Sequence, residues 1–350
     1  MRIIDVINQF DIKEKVKSYT QFGNGHINQT YLVECENDVK YILQRTNHYV
    51  FKDVDGLMSN VYLVSEFLND NNYESLRFVR TKDGKKFLVA SDGYYRVYNF
   101  IGDVVCYEEV SDLTLVEKTA KAFGKLHKTL FTFDAHKLVE VIPHFHDTYR
   151  RYQNLLDAIK EDKLGRVSSC QKEIAQIKEF EKEYNLVMEG IEKGEISYSV
   201  THNDPKINNV LFDKKTGDIR AVIDLDTVMP GSYLFDVGDA LRSLFTGDNE
   251  DSENLDLLQV NIPLFRTYIS GYYSEMKDVL TPREKELLPF AAFLLSIECG
   301  IRFLEDYIRG DVYFNVSKEN HNLIRARTQI TLAKRIHDSF KELTESIENL

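Results

Sequence analysis

Residues 199–226 read S-V-T-H-N-D-P-K-I-N-N-V-L-F-D-K-K-T-G-D-I-R-A-V-I-D-L-D, and their pattern decides the fold. Two apolar runs, 209–212 and 221–223, flank a turn at 214–218 with Gly217 at the tight position, which predicts an antiparallel hairpin. His202, Asp204, Lys206, Asn208 and Asn209 precede its first strand, and Asp224 and Asp226 close its second. A hairpin returns the chain to its start, so Asp224 is expected beside Asp204 and Asn209. Amide and carboxylate oxygens suit Mg²⁺, which keeps some waters and shares its remaining positions with phosphate oxygens. A further carboxylate beside such an ion can orient a hydroxyl and accept its proton. The chemistry this stretch calls for is phosphoryl transfer.

The run His202-Asn203-Asp204-Pro205-Lys206-Ile207-Asn208-Asn209, followed by Ile223-Asp224, resembles the catalytic loop and metal-binding Asp of the kinase fold. The resemblance implies an α+β, bilobal protein-kinase-like architecture, with a small antiparallel-sheet lobe carrying one helix and a large, mainly helical lobe. It implies Asp204 as the catalytic base and Asn209 and Asp224 as Mg²⁺ ligands, with ATP as the phosphoryl donor. Lys206, two residues after the base, can stabilise charge on the transferring group. His at the head of the loop, and no Asp-Phe-Gly triplet, are similar to the aminoglycoside and choline kinase branch. Within that branch, H-N-D-x-K-x-N-N-V-L-F-D and V-I-D-L-D-T-V-M-P-G resemble the N-acetylhexosamine 1-kinases.

Composition matches a two-lobed enzyme, in which local Lys and Arg must counter the global negative field for an anion such as ATP to bind. The chain has 350 residues, 43% of them hydrophobic, enough for one large or two medium cores. A formal net charge of −12 argues against nucleic-acid or anionic-membrane partners, which need basic surfaces. Cys35, Cys106, Cys170 and Cys299 are far apart and form no C-x-x-C, so neither a zinc site nor a disulfide framework is expected, and the compartment expected is the cytoplasm. Asp5 interrupts the opening apolar run, so a signal peptide is not expected there. The longest apolar run, 287–301, holds Pro289 and Glu298 and reads as a buried helix rather than a membrane span.

Working outward toward the N-terminus, residues 3–10 have helical spacing, and 17–21, 30–36 and 39–45 read as strands. Gly23 and Gly25 lie in the first connection, where backbone amides could approach phosphate closely. The kinase pattern places a cation on the third strand. Here Arg45 is the candidate and Gln44 its competitor, because alternation sends the two to opposite faces. A helix over 54–69 carries Glu66, the expected ion-pair partner of that cation. The aromatic strand 94–103 falls where the fold has its hinge, so Asn99 and Ile101 are expected to meet adenine. The expected lobes are 1–101, nucleotide-binding, and 102–350, catalytic and acceptor-binding.

Beyond residue 112 the pattern is helical, with helices expected over 115–129, 145–160, 173–192, 255–274, 282–306 and 323–347. His127 reads as a packed, hydrogen-bonded residue. Asp236 and Asp239 resemble the family's Asp-x-x-Asp, which implies support of the catalytic loop from behind. The acidic stretch 246–253 reads as a solvated loop. Arg302 and Tyr313 resemble, by position, the Arg and Tyr that hold the hexose in hexosamine 1-kinases, and His26 and Asn28 complete the implied sugar pocket. That sugar pattern has an acidic residue where this chain has Asn28. The expectation is therefore a monomeric or weakly dimeric ATP- and Mg²⁺-dependent kinase of a hexose anomeric hydroxyl. The alternatives are a same-fold kinase of choline, homoserine, methylthioribose or an aminoglycoside, and a nucleotide-binding pseudokinase.

Overall fold

An antiparallel sheet forms where strand propensity is densest, in the first hundred residues of this computed structural model, which describes residues 1–23, 28–48 and 52–350. Two compact units partition the chain. One contains Met1–Tyr107, Thr132–Pro143 and Asn208–Pro230, and the other Glu108–Phe131, His144–Ile207 and Gly231–Leu350.

In the first unit a short helix α1 (Ile3–Ile7) is followed by β1 (Val16–Gln21), β2 (Gln29–Cys35) and β3 (Lys40–Thr46). Helix α2 (Val54–Asp70) comes next, started by the Asp53 carboxylate accepting from Gly56 N at 2.8 Å. Then come β4 (Phe78–Val79), β5 (Leu88–Ala90), β6 (Gly93–Asn99) and β7 (Val104–Val105). The sheet runs β1-β2-β3-β6-β4, with β5 also on β6, and every pairing is antiparallel. One face packs Val33, Leu43, Tyr95 and Val97 onto α1 residues Val6 and Ile7. Period-two alternation therefore sends Ile42, Gln44, Arg96 and Tyr98 to the opposite face.

The expected hairpin is present as Val210–Asp213 and Ile219–Val222, with Val222 opposite Val210 and a register shift between Ile219 and Ala221. β7 adds a third strand on the Val210–Asp213 edge. Leu211 and Ala221 pack with Leu76 and Ile101, so the residue expected at the hinge rests on the hairpin.

The second unit is helical. Its elements are α3 (Leu113–Leu130), α4 (Thr148–Glu161), α5 (Gln171–Glu179), α6 (Leu186–Glu192), α7 (Tyr233–Thr246), α8 (Ile262–Met276), α9 (Pro282–Glu286), α10 (Leu288–Arg309), α11 (His321–Asp338) and α12 (Phe340–Ile347). The apolar run expected as a buried helix is α10, with Pro289 in the first turn, where no amide is lost from the ladder. It runs through a core built from α3, α7, α8 and α11 residues such as Ala120, Leu241, Phe265 and Ile330. Three expected helices are broken and a fourth starts late; 282–306 divides at Leu287 into α9 and α10. The 173–192 segment divides into α5 and α6 because Phe180 turns into the core and the Tyr184 hydroxyl donates to the Ile177 carbonyl at 2.6 Å, ending α5. The 255–274 segment begins its helix at Ile262, where Asn261 caps Leu264 N at 2.9 Å. The 323–347 segment breaks at Ser339, between α11 and α12.

Candidate active site

The loop carrying Asp204 is fixed through a buried carboxylate on α7. Asp236 accepts from His202 N and Asn203 N, each at 2.7 Å, and lies 2.8 Å from His127 Nε2. His127 is itself 2.8 Å from the Tyr272 hydroxyl through Nδ1, so it is a packed structural residue as expected. Burial alone would push the Asp236 carboxyl up, but the His127 hydrogen bond and the histidine charges outweigh it and hold the group below its ordinary range. Asn203 adopts the left-handed conformation, φ 64°, which an Asn tolerates. The backbone that presents Asp204 is therefore tied at the two preceding amides.

Asp204 is 30% exposed and pairs with Lys206 Nζ at 2.7 Å. Burial lowers the Lys206 ammonium, but the Asp204 charge and hydrogen bond, with Asp239, raise it overall. Asp239 does not brace the loop backbone as Asp236 does. It pairs with Arg242 Nε at 2.7 Å, and Arg242, Lys206 and His146 together offset the burial of its carboxyl. Further along the same unit, Glu298 on α10 lies 2.8 Å from His146 Nδ1 and accepts from Thr148 Oγ1 at 2.6 Å. Burial raises its carboxyl, yet His146, Thr148 and Arg302 keep it below the ordinary value.

Arg302, one turn beyond Glu298, stands over the rings of Phe145, Phe314 and Tyr313, with centroids at 5.2, 5.5 and 5.9 Å. Tyr313 is largely exposed, and its amide is held by Asp306 Oδ1 at 2.8 Å. Arg151 lies close by. Burial, and then the Arg302 charge, lower its guanidinium.

The nucleotide and metal candidates belong to the other unit. Gly23 has φ +78°, open only to residues without a Cβ penalty, and a Cβ there would meet nothing within 4 Å. Gly25 and His26 lie outside the described residues. Asn28, expected in the sugar pocket, donates through Nδ2 to Asp226 Oδ2 at 2.7 Å and accepts through Oδ1 from Asn47 N at 3.0 Å. Asn99 Oδ1 accepts from Arg77 N at 2.5 Å, and Ile101 is buried in the hairpin contact.

The alternation left open by the sequence is resolved in geometry. Arg45 donates to Gln29 Oε1 at 3.2 Å and to the backbone carbonyl oxygen of Asp92, packing against Gly93 on the face away from Gln44. It engages these groups rather than Glu66, which is exposed on α2. Gln44 faces the other way and receives the Arg96 guanidinium, Nε at 2.9 Å and Nη2 at 2.5 Å. Arg96 also pairs with Asp226 at 2.5 Å, the two side chains being 2% and 5% exposed. Sequence pattern alone does not join these two residues. The available signal is a lone charge inside the aromatic strand Y-Y-R-V-Y.

Asn209 and Asp224 are brought together by the hairpin return, since Ile223 N donates to the Asn209 carbonyl at 2.8 Å. Asp224 sits in the left-handed region, φ 59° and ψ 56°. Asn208 keeps a buried side-chain oxygen with no hydrogen-bond partner. Amide and carboxylate groups at the open end of one hairpin, with the orphaned oxygen of Asn208 next to Asn209 in the chain, fit Mg²⁺, which takes a few protein oxygens and completes its shell with water and phosphate.

An antiparallel sheet with α2, a loop carrying Asp204 braced by a buried Asp, and a helical remainder are those of a phosphotransferase of protein-kinase-like fold. The chain belongs to the phosphotransferase enzyme family (APH), which it matches over residues 18–269. Among solved structures it is similar to an aminoglycoside phosphotransferase from Alicyclobacillus acidocaldarius, 13% identical with TM-score 0.60, the match covering 99% of this chain and 96% of that one. It is similar to amicoumacin kinase hAmiN in complex with AMP-PNP, Ca²⁺ and Ami, 13% identical with TM-score 0.60 and 96% of each chain covered. Choline kinase LicA from Streptococcus pneumoniae is 15% identical with TM-score 0.53, covering 91% of this chain and 94% of that one. At these identities the likeness is one of fold. Among the described residues no helix is long and apolar enough to cross a membrane.

Proposed function

We propose that this chain is an ATP-dependent kinase that phosphorylates the anomeric hydroxyl of a hexose, N-acetylglucosamine or N-acetylgalactosamine first, to the sugar 1-phosphate. The observation that carries the acceptor reading is the charge of the helical unit around Arg302. Two guanidiniums, Arg302 and Arg151, lie there among aromatic rings, a setting that donates to hydroxyl and acetamido oxygens and repels an ammonium. Two carboxylates of the acidic stretch that could receive an amine are already engaged. Asp251 pairs with Arg325 at 2.7 Å and His321 at 2.9 Å, and Glu250 lies 3.4 Å from Arg242.

In this reading residues 1–101, extended by the hairpin, hold the nucleotide, and the remainder of 102–350 holds the base and the acceptor. Asp204 orients the anomeric hydroxyl and takes its proton as the new O–P bond forms and the bond to the ADP leaving group breaks. Lys206 places positive charge where the transferring group carries negative charge. Asn209 and Asp224 would hold Mg²⁺, which when bound neutralises charge on the triphosphate. Gly23 leaves space for backbone approach to the phosphates, and the Asn99–Ile101 segment offers backbone groups to adenine.

The test is phosphate transfer from ATP and Mg²⁺ to a panel of the two N-acetylhexosamines, glucose, galactose, choline, homoserine, methylthioribose and an aminoglycoside. Turnover with hexoses and none with amines is expected, with a product that is labile to acid as a glycosyl phosphate is. Preferred turnover of an amine would overturn the acceptor reading, and nucleotide binding without transfer to any member would replace it with a nucleotide-binding role.

A further inference from the structure

The strand where the kinase pattern expects a cation offers Gln44 to the inner face, and its in-register neighbour on β6 is Arg96. A positive charge thus stands beside Gln44 from the neighbouring strand. It is fully engaged: Nε and Nη2 donate to Gln44 Oε1, Nη2 donates to Asp226 Oδ1, and Nη1 lies 3.9 Å from Met58 Sδ on α2. A guanidinium 2% exposed and bonded in this way is not shaped to grip a phosphate directly. Asp226 is engaged on both oxygens, by Arg96 and by Asn28. It belongs to the short turn Leu225–Thr227, which begins immediately after Asp224. Asn60 on α2 holds the continuation of that turn, donating to the Val228 carbonyl at 3.0 Å. The left-handed backbone of Asp224 is thereby followed, two residues on, by a side chain bolted to the sheet.

We infer that Arg96 is a positioning residue for the metal-binding turn: through Asp226 it fixes Asp224, and it brings a positive charge from β6 to the side of Gln44 on the inner face. Asn28 is part of the same device, joining the start of β2 to Asp226. The inference rests on the Mg²⁺ reading of Asp224 and is independent of which alcohol is the acceptor.

The register pairing suggests a transposition experiment. Arg96→Met, Asp226→Asn and the double variant Gln44→Lys/Arg96→Met are compared with wild type and with Asp224→Ala. The readouts are calorimetric binding of AMP-PNP with Mg²⁺ or Mn²⁺, the acceptor KM, and the melting curve. Outer partners of metal ligands contribute roughly 10- to 100-fold to metal affinity. Arg96→Met and Asp226→Asn are expected to weaken metal-dependent nucleotide binding by about that factor, leaving acceptor KM unchanged, and Gln44→Lys/Arg96→Met is expected to regain much of it. Wild-type metal dependence in folded Asp226→Asn, with Asp224→Ala inactive in binding, overturns the role of Arg96 while sparing Asp224. Unchanged binding in Asp224→Ala overturns the metal reading itself. If Arg96→Met does not fold, Asp226→Asn, which keeps the volume and removes the charge, decides the matter by the same binding measurement.

Discussion

Asp236 offers the sharpest quantitative prediction, because three groups converge on one buried carboxylate. In Asp236→Asn one oxygen can still accept from a loop amide, while the new NH₂ faces another donor. His127 can adapt by changing tautomer, giving its Nε2 lone pair to the NH₂ and its Nδ1 proton to the Tyr272 hydroxyl. A peptide N–H has no such choice, so one of His202 N and Asn203 N is stranded, which costs about 1–3 kcal/mol. Asp236→Ala strands both amides and the imidazole, and at about 1–3 kcal/mol for each stranded buried group the loss should reach about 3 kcal/mol or more. Urea unfolding measures both. Turnover should fall in each variant, with nucleotide affinity held, because the affected amides directly precede Asp204. The native carboxyl is depressed, so its contribution to stability is full above the ordinary value of 3.8 and fades as pH falls through the lower native value. Asp236→Asn should therefore flatten the stability profile in that acid window and leave its shape near neutrality unchanged. An Asp236→Ala protein within about 1 kcal/mol of wild type would refute the reasoning, since no such stability can coexist with two stranded buried amides.

Asp204→Asn should fold and bind ATP normally yet turn over roughly 10²-fold more slowly or worse, the usual scale for an acid–base group; near-normal turnover in a steady-state assay removes Asp204 from its role. Asp224→Ala should abolish the Mg²⁺ dependence of nucleotide binding, read by calorimetry with and without the ion. Arg302→Ala should raise acceptor KM with ATP KM unchanged, and Arg302→Lys should recover little of it, because the ammonium cannot reproduce a planar guanidinium lying over rings. An equal rise in both KM values would move Arg302 out of the acceptor site.

Local order in the chain explains what is legible in its sequence. The hairpin, its turn and the loop before it are contiguous, so residue type and spacing determine them together, and α10 announces itself by a long apolar run. Arg96 and Asp226 are separated by 130 residues, and each looks ordinary in its own neighbourhood. Alternation states that Gln44 and Arg45 diverge, but the choice of face comes from what α1 and α2 bury, which is a tertiary fact. The break between α5 and α6 is hidden because the segment is amphipathic throughout. One aromatic, Tyr184, terminates a helix there by reaching back to its last turn.

The burial of α10 bears on how the enzyme breathes. Eighteen of its residues lie inside the core. Backbone amides so placed exchange with solvent through opening of a whole cooperative unit, whereas exposed turns exchange by small local excursions. Glu298 and Arg302 are mounted on this buried helix, so under the proposed acceptor reading the wall they form should persist through the fluctuations that loosen surface segments. A selectivity written on α10 would be held by a deeply buried helix, and heating should erode it in step with global unfolding rather than before it.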